Sequence, residues 1–182
     1  MTRTLGAILA GGQSRRFGSD KALAELRGQS LIAHVLSALA PQVDGLVIVG
    51  RPGTEGGVPA IPDRPAHDLG PLGGLNAALH YGHAHGFAAV ATVGCDMPVL
   101  PTDLVARLRA AGDIAMLGTV PIVGLWPTSL ADALDAYLAT ATDRSMRRWA
   151  VTAGATIVSA PALPNINTPD DLAALARDSS PG

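Results

Sequence analysis

Thirteen residues near the amino end concentrate most of the chain's potential chemistry. The stretch Leu9-Ala10-Gly11-Gly12-Gln13-Ser14-Arg15-Arg16-Phe17-Gly18-Ser19-Asp20-Lys21 combines two adjacent glycines with three cations, Arg15, Arg16 and Lys21. Glycines let backbone N–H groups turn toward an anion and approach it closely, and a cluster of Arg and Lys neutralises several charges at once. A triphosphate is the natural counterpart. Two better-known phosphate loops do not fit. Five residues separate Gly12 from Gly18, which is followed by Ser19-Asp20, so the G-x-x-x-x-G-K-[ST] pattern is absent. The paired glycines, with the next six positions later, also fail G-x-G-x-x-G. A glycine turn beside a solvated basic stretch is the plain alternative.

A second chemical group is Asp96, in Thr92-Val93-Gly94-Cys95-Asp96-Met97-Pro98. A carboxylate at the end of a buried strand suits Mg²⁺, which takes one or two protein carboxylates and completes its shell with phosphates and waters. Asp96 is therefore the expected metal ligand, with a turn-forming aspartate ahead of Pro98 as the alternative. Between the two lies Ile61-Pro62-Asp63-Arg64-Pro65-Ala66-His67-Asp68-Leu69-Gly70-Pro71-Leu72-Gly73-Gly74. Here Asp63 could bond a ribose or base edge, and Gly70 to Gly74 would let backbone pass beside a ligand; a simple turn explains the composition equally well. Arg144, Arg147 and Arg148 read as a basic patch on a late helix, with 144 and 148 one turn apart, suited to an anionic ligand or simply to solvent. His80, His83 and His85 suggest a metal, but two of them share a face and no acid or thiolate is expected to complete a set. Cys95, Trp126 and Trp149 read as core or pocket-wall residues.

These groups need a frame, and the hydrophobic pattern supplies one. Short apolar runs at Leu5 to Ala10, Leu46 to Gly50 and Ala88 to Gly94 suit strands buried on both faces of a parallel sheet. Helices are expected at Leu31 to Ala40, capped by Ser30 and stopped by Pro41, and at Leu75 to His85. Another helix opens at Pro101-Thr102-Asp103 and runs through Ala111. Asp113 to Leu117 and Val120 to Trp126 read as an antiparallel pair joined by a tight turn at Gly118-Thr119. Helices at Ser129 to Ala139 and Arg144 to Thr152 follow, then a strand at Thr156 to Ser159 and a helix from Pro169, capped by Thr168, to Arg177. Strands alternating with helices give a layered, mostly parallel α/β fold with an antiparallel element. Its ligands would sit at the carboxyl ends of the strands, where Gly11, Asp63 and Asp96 fall.

Composition narrows the function classes. The 182 residues are 48% hydrophobic and 15% charged, enough for one substantial core. A net charge of −2 gives no global field for a nucleic-acid backbone, so anions must be met locally. One cysteine excludes an internal disulfide and fits a reducing cytoplasm. No apolar stretch approaches a membrane span or a signal-peptide core.

At this point the motifs resemble a known family. Leu9-Ala10-Gly11-Gly12 with Ser14-Arg15-Arg16, Gly18 and Asp20-Lys21 closely resembles the signature of the molybdenum cofactor guanylyltransferases. Gly70-Pro71-Leu72-x-Gly74, Cys95-Asp96-x-Pro98 and Asn165-x-Asn167-Thr168-Pro169-Asp170-Asp171-Leu172 are similar to that family's later motifs, in the same order, so the likeness spans roughly the whole chain. The resemblance implies a three-layer, Rossmann-like nucleotidyltransferase domain over residues 1–178, with 179–182 as a frayed tail. It implies that Leu9, Ala10, Gly11, Gly12 and Ser14 surround guanine and phosphates. Lys21 and Arg16 would hold the triphosphate, and Asp63, Gly70 and Gly74 would line the nucleotide. Asp96 would face nucleotide and Mg²⁺, and Asn165 and Asn167 would lie toward the pterin, although helix-entry chemistry also explains those two asparagines.

The implied reaction is attack by the terminal phosphate of molybdopterin on the α-phosphorus of GTP, with pyrophosphate leaving and no covalent enzyme intermediate. Lys21, Arg16 and Asp96 would be its catalytic residues, and molybdoenzymes or their chaperones would receive the product. Residue physics alone leaves open CTP in place of GTP, a sugar phosphate in place of the pterin, or a nucleotide sensor without turnover. The chain departs from the family pattern at Phe17, usually methionine; at Val120, commonly histidine; at Gly50, commonly polar; and at a tighter Gly118-Thr119 turn. Most of these departures bear on the pterin side.

Overall fold

The computed structural model describes residues 2–11, 24–51, 53–67, 69–160, 163–166, 168, 170, 171 and 174. Gly12, Ser14, Arg16, Lys21 and Asn167, together with most of the expected final helix, lie outside the described residues.

Three strands form the centre of the sheet: β1 (Thr4–Leu9), β4 (Gly45–Val49) and β7 (Ala89–Gly94). β1 lies between the other two and runs parallel to both, with Ile8 opposite Ile48 on one side and Val93 on the other. Every residue of β1 and β7 is buried, as their continuous apolar runs require. β6 (Val58–Ile61) continues the parallel order beyond β4, and β5 (Gly53–Glu55) closes that edge in antiparallel pairing. On the other side β9 (Gly124–Pro127) pairs antiparallel with β7 and with β8 (Ala115–Leu117), and β10 (Thr156–Val158) runs parallel to β8. The eight-stranded order is β10-β8-β9-β7-β1-β4-β6-β5. A separate hairpin, β2 (Glu25–Leu26) and β3 (Gln29–Ser30), turns through Arg27 and Gly28, both at positive φ. The chain thus lays β4 and β6 on one side of β1 and then crosses back to place β7 on the other. Carboxyl ends of β4, β1 and β7 open together at that reversal, where α/β sheets take their ligands.

Period-2 alternation splits these strands between two cores. Leu5, Ala7 and Leu9 of β1, with Val47 and Val49 of β4, face α2 (Pro71–Ala84), α4 (Ala131–Thr140) and α5 (Met146–Thr152). Ile8, Ile48, Ala91 and Val93 face α1 (Leu31–Leu39) and α3 (Leu104–Ala111). The result is the expected three-layer α/β arrangement with its antiparallel element. Trp126 and Trp149 are both buried in the first core, as wall rather than ligand-stacking groups. Trp126 donates its indole N–H to Thr92 Oγ1 at 3.1 Å, and Thr92 donates to Ile122 O at 2.7 Å, so β7 and β9 are also pinned through side chains.

Helix starts follow local chemistry. Ser30 caps α1, its hydroxyl accepting from Ala33 N at 3.3 Å, and Pro41 falls in the 3-10 turn that ends it. α2 begins four residues earlier than the apolar pattern predicts, because Pro71 sits at its first position after a positive-φ Gly70. α5 begins at Met146, since Ser145 caps it through Arg148 N at 3.2 Å. Arg144 therefore precedes the helix, so Arg144 and Arg148 do not share a helical face. Arg144 instead reaches Leu138 O, and Arg147 donates to Gly118 O at 2.7 Å. The β8–β9 connection also differs from expectation. Its turn is Val120 to Val123, closed by Val123 N to Val120 O at 2.9 Å, with Pro121 in the second position that its fixed φ favours. Gly118 is not in that turn, because its N–H pairs with Val158 O of β10 at 3.0 Å. Thr168 and Asp171 exchange side chain-to-backbone bonds at 2.9 and 3.2 Å, the reciprocal cap expected where a helix starts.

Candidate active site

The site assembles at the carboxyl ends of β1, β4, β6 and β7. Ala10 N donates to Val49 O at 2.8 Å, and Cys95 N to Leu9 O at 3.2 Å, so the chain leaving β1 is tied to both neighbouring strands. Gly50 N continues the lattice to Ile61 O at 2.9 Å. Gly50 has φ +96°, and a Cβ there would lie 2.3 Å from both Cα and N of Gly11. Two glycines are thus pressed together, an approach that a side chain at either position would obstruct.

Asp63 stands two residues past β6 and is half-buried. A Cβ on Gly11 would lie 3.1 Å from its Oδ2, and one on Gly74 3.5 Å from its Oδ1. Gly73 is as close, 3.3 Å from Asp63 Cβ by the same measure. The carboxylate is therefore wedged between the β1 loop and the first turn of α2, where the helix dipole favours negative charge. Leu9 is core wall beside Gly74, with its side chain 3.1 Å from where a Cβ there would sit.

Asp96 follows β7 in the turn at 95–96 and is also half-buried. A Cβ on Gly94 would lie 2.5 Å from its Oδ1, so glycine at 94 makes room for the carboxylate to fold back over the strand end. Asp96 O accepts from Ile166 N at 2.8 Å, which brings exposed Asn165 alongside. Ile166 packs with Leu26 and Leu31, so the chain's late motif, the β2–β3 hairpin and α1 are fastened to this rim. A hard carboxylate at a strand end, in space kept open by a glycine, fits a divalent cation of the Mg²⁺ type.

Of the expected site residues, the structure brings Leu9, Ala10, Gly11, Asp63, Gly74 and Asp96 to one end of the sheet, with Gly70 at the start of α2 and Asn165 at the rim. The close approach of Gly50 to Gly11 escapes sequence reasoning, since it is a contact across the fold. So does a polar cluster between α2 and α4. His80 Nε2 lies 2.9 Å from Asp135 Oδ2, and Asp132 completes a set whose ligand atoms lie within 4.8 Å of one another. Contrary to the expectation from sequence, acids do complete a set: they arrive from α4, distant in sequence, and among the described residues they join His80. Burial pushes the Asp135 carboxyl up, but the Asn76 hydrogen bond and the positive fields of His80 and Arg64 outweigh it and hold it below its ordinary 3.8. A separate recess lined by Asp44, Gly45, Val58 and Pro59 opens where β4 and β6 begin, at their other ends. Among the described residues no helix is long and apolar enough to cross a membrane.

Comparison with known proteins agrees with this geometry. The family model for the MobA-like NTP transferase domain matches residues 6–155. The chain is 41% identical to the molybdenum cofactor guanylyltransferase of Rhizobium leguminosarum bv. trifolii, covering 94% of this chain and 91% of that one. It is 42% identical to the protein of the same name from Rhodobacter capsulatus, over 94% of each. Its fold superposes with a TM-score of 0.73 on molybdopterin-guanine dinucleotide biosynthesis protein A from Archaeoglobus fulgidus, at 23% identity and covering 96% and 97% of the two chains. A 4-diphosphocytidyl-2C-methyl-D-erythritol synthase superposes with a TM-score of 0.68 at 15% identity, showing the same architecture. With a family model matched over most of its length and relatives spanning nearly all of it, the chain belongs to the MobA-like NTP transferase family.

Proposed function

We propose that this protein transfers GMP from GTP to the terminal phosphate of molybdopterin, releasing pyrophosphate and forming the guanine dinucleotide form of the cofactor. The observation that carries the assignment is that relatives 36–42% identical over most of the chain are all named molybdenum cofactor guanylyltransferases. The terminal phosphate oxygen of molybdopterin attacks the α-phosphorus of GTP, and the bond from that phosphorus to the β-bridging oxygen breaks. Pyrophosphate departs with the bonding pair. A phosphate nucleophile is already largely ionised near neutrality, so no dedicated general base is needed.

What the chain supplies is position and charge. Backbone of Leu9, Ala10, Gly11, Gly12 and Ser14 encloses base and phosphates, while Arg16 and Lys21 neutralise the triphosphate. Asp63 accepts from the nucleoside, and the glycines at 70 and 74 admit it against α2. Asp96 would hold Mg²⁺, which when bound offsets charge on the phosphate oxygens. Asn165 and Asn167 line the pterin side. The assignment of Asp63 and Asp96 is supported by the glycines that make room for each carboxylate. We place the reaction in the cytoplasm, and expect molybdoenzymes or their chaperones to take up the product. The test is pyrophosphate release with Mg²⁺ and molybdopterin, comparing GTP, CTP, ATP and UTP, with Asp96→Ala as control. Release with GTP alone, lost in the variant, is expected; release with CTP alone would move the protein to cytidylyl transfer.

A further inference from the structure

The polar cluster between α2 and α4 lies outside the catalytic rim, yet it is joined to it. Asn76 is fully buried in the middle of α2, a position that costs stability unless its amide is paired. Its Nδ2 donates to Asp135 Oδ1 of α4 at 2.6 Å, and reaches Arg64 O at 3.5 Å. His80, one turn along α2 on the same face, meets the other oxygen of Asp135 at 2.9 Å. Arg64 sends its guanidinium to that same oxygen at 3.5 Å. Asp135 therefore gathers the α2 face and the residue that follows Asp63.

The loop that carries Asp63 is tied to the rest of the fold through Arg64. Its Pro62 and Pro65 offer no N–H, and Arg64 N donates to Gly73 O at 3.1 Å. Among the described residues, the bonds named here tie Arg64 through its N–H, its carbonyl and its side chain, and two of the three lead to the Asn76–Asp135 pair. A carboxylate wedged between Gly11 and Gly73 has little room for error, and a displacement of about 1 Å in a positioning group can cost a factor of 10².

We infer that Asp135 is a positioning residue for the nucleotide, acting through Asn76 and Arg64 to hold Asp63 in place. This rests on Asp63 contacting the nucleotide, as proposed above. His80 fixes the other side of the carboxylate, and Asp135 gives the buried Asn76 amide N–H its partner. Asp135 touches no substrate, so its loss loosens nucleotide binding and leaves the bond-breaking step close to intact.

The experiment measures the dissociation constant for GTP by calorimetry without the second substrate, along with KM for GTP, KM for molybdopterin and kcat. It uses the full chain and the variants Asp135→Ala, Arg64→Met, their double variant and Asp63→Asn. Asp135→Ala is expected to weaken GTP binding and raise its KM by about tenfold, with kcat within about twofold and KM for molybdopterin unmoved. Arg64→Met, at a half-exposed side chain that should not disturb folding, gives a smaller loss, and the double variant loses less than the product of the two. Should Asp135→Ala fail to fold, the Arg64→Met split decides. Unchanged GTP affinity in both single variants, while Asp63→Asn weakens it, overturns the inference and leaves the site assignment standing. Unchanged affinity in Asp63→Asn overturns both.

Discussion

Replacing Gly50 by alanine should damage the site out of proportion to one methyl group. Two separate costs arise. The first is conformational: Gly50 has φ +96°, and an L-residue held at left-handed φ loses about 1–2 kcal/mol. The second is steric: the new Cβ would sit 2.3 Å from Cα and N of Gly11, and both of these are backbone. Neither can rotate away, so the β1 loop must be displaced by roughly 1 Å to restore contact, a strain of about 1–3 kcal/mol on the scale of overpacked cores. Gly57 is the matched control, with φ +79° and nothing within 4 Å of the position a Cβ would take. Alanine there carries the first cost without the second, and the entropy removed from the unfolded chain is the same in both and cancels. Denaturant unfolding with unchanged m should place Gly50→Ala about 1–3 kcal/mol below Gly57→Ala. The GTP dissociation constant should rise only in Gly50→Ala, because only there does the displaced strand end carry Gly11. Equal destabilisation of the two variants, with GTP affinity kept in both, would refute the claim that the Gly11–Gly50 contact shapes the site.

Three further expectations follow from the same geometry. Gly94→Ala puts a Cβ 2.5 Å from Asp96 Oδ1, which can swing away as the end of a side chain; stability should hold within about 1 kcal/mol while the Mg²⁺ concentration for half-maximal activity rises several-fold. Thr92→Val removes the partner of the buried Trp126 indole N–H and should cost about 1–3 kcal/mol in denaturant unfolding with nucleotide affinity unchanged. The carboxyl of Asp135 is held below its unfolded value of 3.8, so the folded state binds fewer protons there than the unfolded one. Its contribution is complete above that value and is lost as pH falls through the folded one; the stability gap between wild type and Asp135→Asn should therefore be flat near pH 5 to 6 and shrink below pH 4.

Much of this architecture is legible in the sequence because its signals are local. Buried strands such as Leu5 to Leu9 and Ala89 to Gly94 show as unbroken apolar runs, and Ser30 caps α1 where a hydroxyl precedes the helical pattern. The start of α2 is less clear, since Gly-Pro-Leu-Gly-Gly reads as turn chemistry until packing against Asp63 makes the small residues useful. The same competition shifts the β8–β9 turn: Gly118-Thr119 is the stronger local signal, but Gly118 N is taken by Val158, 40 positions away, and Pro121 takes the bend. Arg144 looks helical by its spacing from Arg148, yet Ser145 is the better cap. Asp63 and Asp96 stand out by residue type at strand ends. The glycines at 50 and 94 do not, because the need for glycine there comes from atoms distant in sequence or from a carboxylate folding back. The Asn76–His80–Asp135 cluster is invisible for the same reason, with 55 to 59 positions between its halves.

Guanylyl transfer stands or falls on which bond of the nucleotide breaks and where its pieces go. GTP labelled at the α-phosphate, and separately at the γ-phosphate, should be incubated with the protein, Mg²⁺ and molybdopterin, and the pterin and phosphate products separated. The proposed reaction sends the α-label into the pterin dinucleotide and the γ-label into pyrophosphate, and Asp96→Ala abolishes both. A γ-label on the pterin, or an α-label that remains in free guanosine nucleotide, would contradict it.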